Sequence, residues 1–151
     1  MKPPIEIKLR RPYRNEYHKT TLNFIFTGRW IFNLHNELFK TYGVTLQQYN
    51  VLRILKGQYP KTATVKLIRE RMLDKMSDAS RIVENLRRKK LVERSLNIGD
   101  RRRVDIAITP KGIDLLNSIE EKESNTMDNF LSKLSLQEVE HLNNLLNKLK
   151  D

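Results

Sequence analysis

The chain has 151 residues and a mass of 18.0 kDa, and its 29 Lys plus Arg against 18 Asp plus Glu give a formal charge of +11 and a pI near 10. That size suits one domain, or one compact domain with an appended oligomerisation element. The absence of cysteine excludes disulfide scaffolds, Cys-ligated zinc or iron–sulfur sites, thiol catalysis and thiol redox sensing, and it fits a reducing compartment. With 38% hydrophobic and 31% charged residues, a folded, rather polar protein is expected, with neither a signal peptide nor a membrane span.

The charge is unevenly spread. Residues 61–111 hold fifteen basic against seven acidic side chains, whereas residues 112–151 hold four against eight. A basic middle third suits nucleic acid or an anionic membrane surface. The membrane reading needs a basic amphipathic helix with large exposed apolar residues, but the densest basic run, Arg87-Arg88-Lys89-Lys90, leads into a strand-like segment. No membrane partner is expected.

Leu22, Ile25, Phe26, Ile31, Phe32, Leu34, Leu38 and Phe39 recur at three- and four-residue steps. They predict a long helix over about 17–42, apolar on more than one face and stopped by Gly43. Thr45 and Gln48 form a T-x-x-Q capping box for a second helix that buries Leu46, Tyr49 and Leu52, with Leu55 a further candidate, and ends before Pro60. A short helix from about Thr64 carries Leu67, Ile68 and Met72 on one side. Ser77 is read as the cap of the next helix, which runs to about Lys89.

On that helix Ala79, Ile82, Val83 and Leu86 form the core stripe. Ser77, Arg81, Glu84 and Arg88 fall opposite, flanked by Asp78, Ser80, Asn85 and Arg87. A solvated face would be the simplest account of such a row, and the downstream neighbour shifts that account. Residues 91–96 and 103–108 alternate in period two around Asn97-Ile98-Gly99-Asp100. This predicts a β-hairpin whose tip and outgoing arm hold Arg101, Arg102 and Arg103. Three adjacent arginines at a tip cannot all pair within the protein, and the guanidinium suits phosphates and narrow grooves.

Helix, short helix, capped helix and basic hairpin follow the order of a winged helix-turn-helix, whose second motif helix enters the major groove while the wing reaches the adjacent minor groove. Thr109-Pro110, a cap followed by proline at the first helical position, opens another helix, marked by Ile113, Leu116, Ile119, Met127, Phe130, Leu131 and Leu134 around a polar middle. Ser135 and Glu138 form a second capping box for a last helix with Val139, Leu142, Leu145, Leu146 and Leu149. The expected class is mainly α with a small β-hairpin wing. The winged helix-turn-helix module spans 44–111, a helical dimerisation region spans 17–43 and 112–151, and a basic arm spans 1–16.

Asp100-Arg101-Arg102, then Val104 to Ile108, then Thr109-Pro110-Lys111-Gly112, resembles the D-x-R … L-T-x-x-G wing signature of the MarR family of transcriptional regulators. The order of elements agrees from about residue 17 onward. Lys90 occupies the place where the family usually turns with glycine, and Ile108 replaces leucine. The resemblance implies a cytoplasmic, nucleoid-associated homodimer whose terminal helices interdigitate and hold two winged modules over a pseudo-palindromic operator in double-stranded DNA. It implies a repressor released by a small aromatic or lipophilic effector. Ser77, Asp78, Ser80, Arg81 and Arg88 match positions of the DNA-reading helix, and Arg102 matches the wing-tip arginine. Asp100 matches the wing acid, which in the family pairs with arginine and stiffens the hairpin.

Phe24, Phe26, Trp30, Phe32, His35, Tyr42 and Tyr49 are candidates to line an effector cavity, although aromatics at helical spacing more often form core or dimer interface. His18, His35 and His141 are too scattered for a metal set, and no cofactor is expected. Without cysteine, a Gly-rich phosphate loop or a carboxylate cluster beyond Glu120, Glu121 and Glu123, catalysis is not expected. The alternative is a winged-helix module used for architecture or protein interaction, which has no need of three wing arginines and Arg81.

Overall fold

The computed structural model describes residues 12–100 and 102–150. These form α1 (Glu16–Thr41), α2 (Leu46–Gln58), α3 (Val65–Arg71), α4 (Ala79–Arg88), β1 (Val92–Leu96), β2 (Val104–Ile108), α5 (Pro110–Leu131) and α6 (Leu136–Lys148). The chain is mainly helical with a two-stranded hairpin, as its periodicities predict. Most of the basic arm, residues 1–11, and Arg101 lie outside the described residues. The chain divides into two compact units after Leu116.

The first unit owes its helix boundaries to local chemistry. Asn15 caps α1, its side chain accepting the His18 N–H at 2.9 Å. Gly43 ends that helix at φ +69°, with its own N–H donating to Lys40 O at 3.0 Å and the Val44 N–H to Phe39 O at 3.2 Å. This 6→1, 5→2 closure needs a left-handed residue, which glycine adopts without a Cβ penalty. Both arms of the Thr45–Gln48 capping box are made, at 3.2 and 3.3 Å. Thr64 caps α3 by accepting the Leu67 N–H at 3.2 Å.

The core of this unit gathers Phe39, Val51, Leu52, Leu55, Ile68, Met72, Val83, Leu86 and Ile106, all essentially inaccessible, with Phe39 stacked on Tyr49 at 4.4 Å. Val51 is buried and Leu46 only half-buried, a shift from the expected stripe. The reason is that α2 packs against α1, α3, α4 and β2, so its buried arc is wider than one stripe. β1 and β2 pair antiparallel with Val92 opposite Ile108 and Leu96 opposite Val104. Ala63 adds a further bridge, exchanging two 2.8 Å hydrogen bonds with Ile106. The hairpin is thereby tied at its root to the segment ahead of α3.

The second unit holds the rest of α5, continuous through the polar stretch from Glu120 to Thr126, and α6. The Ser135–Glu138 box caps α6, with Ser135 N–H to Glu138 Oε2 at 2.8 Å and Glu138 N–H to Ser135 Oγ at 3.3 Å. No residue of α6 is buried, and Leu136, Leu142 and Leu145 are exposed.

Candidate nucleic-acid interface

The helix expected to read DNA is α4, and its start lies later than the sequence suggests. The N-cap is Asp78, whose Oδ1 accepts the Arg81 N–H at 3.1 Å, and not Ser77. The Ser77 hydroxyl is taken instead by the turn before the helix, donating to Asp74 Oδ2 at 2.7 Å while Asp74 Oδ1 accepts the Met76 N–H at 2.9 Å. These two bonds hold the Asp74 carboxyl below its ordinary range. Ser77 is therefore half-buried ahead of the helix, and Asp78 is exposed at its mouth. Ser80 and Arg81 are exposed on the first turn, while Ala79, Val83 and Leu86 form the buried side.

Lys90 closes the other end of α4. It adopts φ 60°, with its N–H donating to Arg87 O at 2.9 Å and the Leu91 N–H to Leu86 O at 3.0 Å. The turn thus has the same geometry as the one at Gly43, made here by a lysine at a cost in backbone energy. Around it, the Thr109 hydroxyl donates to Lys90 O at 2.9 Å and accepts the Gly112 N–H at 3.0 Å. Lys89 Nζ reaches the end of α1 and the start of α2, donating to Gly43 O at 2.5 Å and Gln48 Oε1 at 3.0 Å.

Between the two ends, Glu84 organises the outer face. Arg87 grips it with two bonds of 2.9 Å, Arg88 Nε donates at 3.3 Å, and Arg94 of β1 lies at 3.9 Å. The Arg87 hydrogen bonds, aided by the charges of Arg87 and Arg88, lower the Glu84 carboxyl to about 2. Arg88 is exposed yet held by this carboxylate, in contrast to Arg81. The i,i+3 and i,i+4 spacing already allowed these pairs, but nothing local pointed to Arg94.

At the wing tip, the Asn97 side chain accepts the N–H groups of Gly99 and Asp100 at 2.9 and 3.0 Å and donates to Asp105 Oδ2 at 2.7 Å. Asp100 Oδ1 accepts the Arg102 backbone N–H at 3.0 Å. Arg103 pairs with Asp105 at 3.3 Å, so one of the three wing arginines does find a partner within the protein. Arg102 is exposed, and Arg101 lies outside the described residues. The sequence marks Asn97 as a turn residue, as an Asx turn before glycine should be, but carries no signal for its bond to Asp105.

Of the aromatic candidates, Trp30 and Tyr49 are buried, and Phe24, Phe26 and Phe32 are exposed. His35 stacks on Phe39 at 5.6 Å. Tyr42 lines a cavity of about 330 Å³ with Val44, Leu91, Leu115, Lys89 and Lys111. Among the described residues, no cluster of His, Asp and Glu has the makings of a metal site, and no helix is long and apolar enough to cross a membrane.

Residues 42–103, from the end of α1 to the wing, match the model of the MarR family. The chain is 30% identical over 116 residues to the HTH-type transcriptional regulator MhqR of Bacillus subtilis (strain 168), covering 76% of this chain and 77% of that protein. The crystal structure of the YusO protein from Bacillus subtilis is similar over 93% of this chain and 98% of its own, with a TM-score of 0.73 and 26% identity. A point mutant of S. aureus MepR, bound to an oligodeoxyribonucleotide, is similar over 86% of this chain and 94% of its own, with a TM-score of 0.61 and 24% identity. With recognition helix, wing and sequence in agreement, the chain belongs to the MarR family of DNA-binding transcriptional regulators.

Proposed function

We propose that this regulator acts as a homodimer that sets two winged modules on a pseudo-palindromic operator and represses the genes it covers. The observation that carries the reading is the pairing, in one unit, of an α4 first turn with Ser80 and Arg81 exposed and a wing with Arg102 and Arg103 exposed. A helix of this kind presents side chains to base edges in the major groove, and arginines on a hairpin suit the minor groove and its phosphates. In this reading Ser80 and Arg81 read bases, and Ser77, Asp78 and Arg88 sit at the groove edge. Arg101, Arg102 and Arg103 serve the wing, and Asp100 stiffens it. The duplex-bound S. aureus relative supports the same mode.

Dimerisation is supported by exposed apolar side chains on α1 (Phe24, Ile25, Phe32) and α6 (Leu142, Leu145), more than a small polar monomer ordinarily leaves in water. The module over 44–111 is the DNA-binding part, and the helices outside it, 17–43 and 112–151, form the dimer. For an effector, the cavity beside Tyr42 has apolar walls and two lysines, which suits a small aromatic molecule with an acidic group.

Light scattering on the free protein, with gel shifts on the DNA flanking its own gene and on a random duplex of equal length, tests this reading. A dimer that prefers the flanking DNA, and loses that preference when Leu142 and Leu145 are both changed to Glu, is the expected result. A stable monomer that binds both duplexes alike would favour an architectural module.

A further inference from the structure

The wing tip presents something that phosphate contact does not require. Ile98, in the loop after β1, is completely exposed, and Leu96, the last residue of β1, is exposed by two-thirds. The loop around Ile98 is otherwise polar, made of Asn97, Gly99 and Asp100. It is also tightly held. The Asn97 N–H donates to Arg103 O at 3.0 Å and the Arg103 N–H to Asp100 O at 2.9 Å, in addition to the three bonds of the Asn97 side chain. Ile98 therefore stands one residue beyond the last cross-strand bond, between backbone groups held by the Asn97 side chain, with its own side chain in water.

An apolar point on the same hairpin loop that carries the exposed Arg102 and leads into the exposed Arg103 has a matching surface in the DNA minor groove. The groove has apolar sugar walls and an anionic rim, so it accepts the isoleucine and the guanidinium groups together. Minor-groove proteins commonly insert such side chains between base steps and bend the duplex. A protein surface able to take the isoleucine would also have to offer acidic groups to the wing arginines, a demand that DNA meets along its whole length.

We propose that Ile98 is a minor-groove wedge. In the operator complex it presses between two base pairs beneath the wing, bends the DNA, and selects a flexible pyrimidine–purine step there without a hydrogen bond to any base. This rests on the DNA-binding mode proposed above and adds a specificity residue to it.

The test is a parallel selection of binding sites from a random duplex library by wild type, Ile98→Ala and Ile98→Leu, followed by a fluorescence measurement of bending on the duplex that wild type selects. Wild type is expected to enrich a TA or CA/TG step at a fixed distance from the half-site and to bend the duplex by roughly 20–90°. Ile98→Ala is expected to keep the half-site, lose the step preference and bend the DNA less, and Ile98→Leu to restore both. The salt dependence of binding stays unchanged in Ile98→Ala, because no phosphate contact is removed.

An Ile98→Ala protein that keeps both the step preference and the bend overturns the wedge. So does one that loses the half-site as well, since Ile98 would then serve the fold of the wing in general. If wild type enriches no half-site at all, the DNA-binding mode itself fails, and the wedge fails with it.

Discussion

Gly112 lies against the carbonyl of Leu91 so closely that no side chain fits between them: a Cβ there would stand 2.3 Å from Leu91 O and 2.8 Å from Ile108 Cγ1. The start of α5, the turn that ends α4 and the root of the wing meet at this point. Thr109 joins the same three elements through its hydroxyl, to Lys90 O and from the Gly112 N–H, and through its own N–H to Leu91 O at 3.1 Å.

Gly112→Ala is expected to destabilise the protein by about 1–3 kcal/mol, toward the upper end because the obstructing atom is backbone and cannot rotate away. Thr109→Val keeps the shape but strands the buried Gly112 N–H and the partly buried Lys90 carbonyl, for a loss of about 1–3 kcal/mol. Urea unfolding measures both. A Gly112→Ala protein as stable as wild type would mean that α5 can move off β1.

Lys90→Gly should stabilise the fold. The left-handed conformation costs a side-chain-bearing residue roughly 1–2 kcal/mol, and glycine returns part of this as unfolded-state entropy. A net gain of about 0.5–1 kcal/mol is expected in a thermal melt, from these opposing effects. A drop in melting temperature would show that the Lys90 side chain itself holds the turn.

Glu84 is held low by Arg87 and Arg88, so its ion pairs contribute above the ordinary carboxylate value of 4.5 and are lost as the pH falls through about 2. NMR titration of the Glu84 carboxyl checks that window. Glu84→Gln releases Arg87, Arg88 and Arg94 from one carboxylate. Binding to random duplexes should then rise and its salt dependence steepen, with the largest gain at low ionic strength. Unchanged binding to random DNA would place these arginines away from the duplex.

Arg81 and Arg102 should fail differently. Arg81→Ala is expected to cost about 1–3 kcal/mol on the operator and to relax preference at one base pair per half-site. Arg102→Ala is expected to weaken every sequence and to flatten the plot of log K against log salt by about 0.9 for each phosphate no longer neutralised. Equal losses on operator and random DNA for Arg81→Ala would make it a phosphate contact.

Most of the architecture is legible in the residue pattern, because the features that set it are local. The capping boxes at Thr45–Gln48 and Ser135–Glu138, the stop at Gly43, the cap-and-proline start of α5 and the period-two arms of the wing each act over four or five residues. Of the expected stripe of α4, Ala79, Val83 and Leu86 are buried and Ile82 is half-buried, while Arg81 on the opposite face and the flanking Ser80 are exposed, as helical geometry predicts. The remaining features depend on competition between neighbours or on distance along the chain. Ser77 and Asp78 both offer a capping oxygen, and it is Asp78 that accepts the Arg81 N–H, while the Ser77 hydroxyl donates to Asp74 in the preceding turn. The arginines of α4 and the wing are alike in the sequence, yet Arg87, Arg88 and Arg103 meet carboxylates while Arg81 meets none among the described residues, which depends on where Glu84 and Asp105 are placed. The bridge from Ala63 to Ile106, the reach of Arg94 to Glu84 and the lysine strap from Lys89 to Gly43 join residues far apart along the chain, and no local pattern encodes such pairs because only packing brings their backbones together.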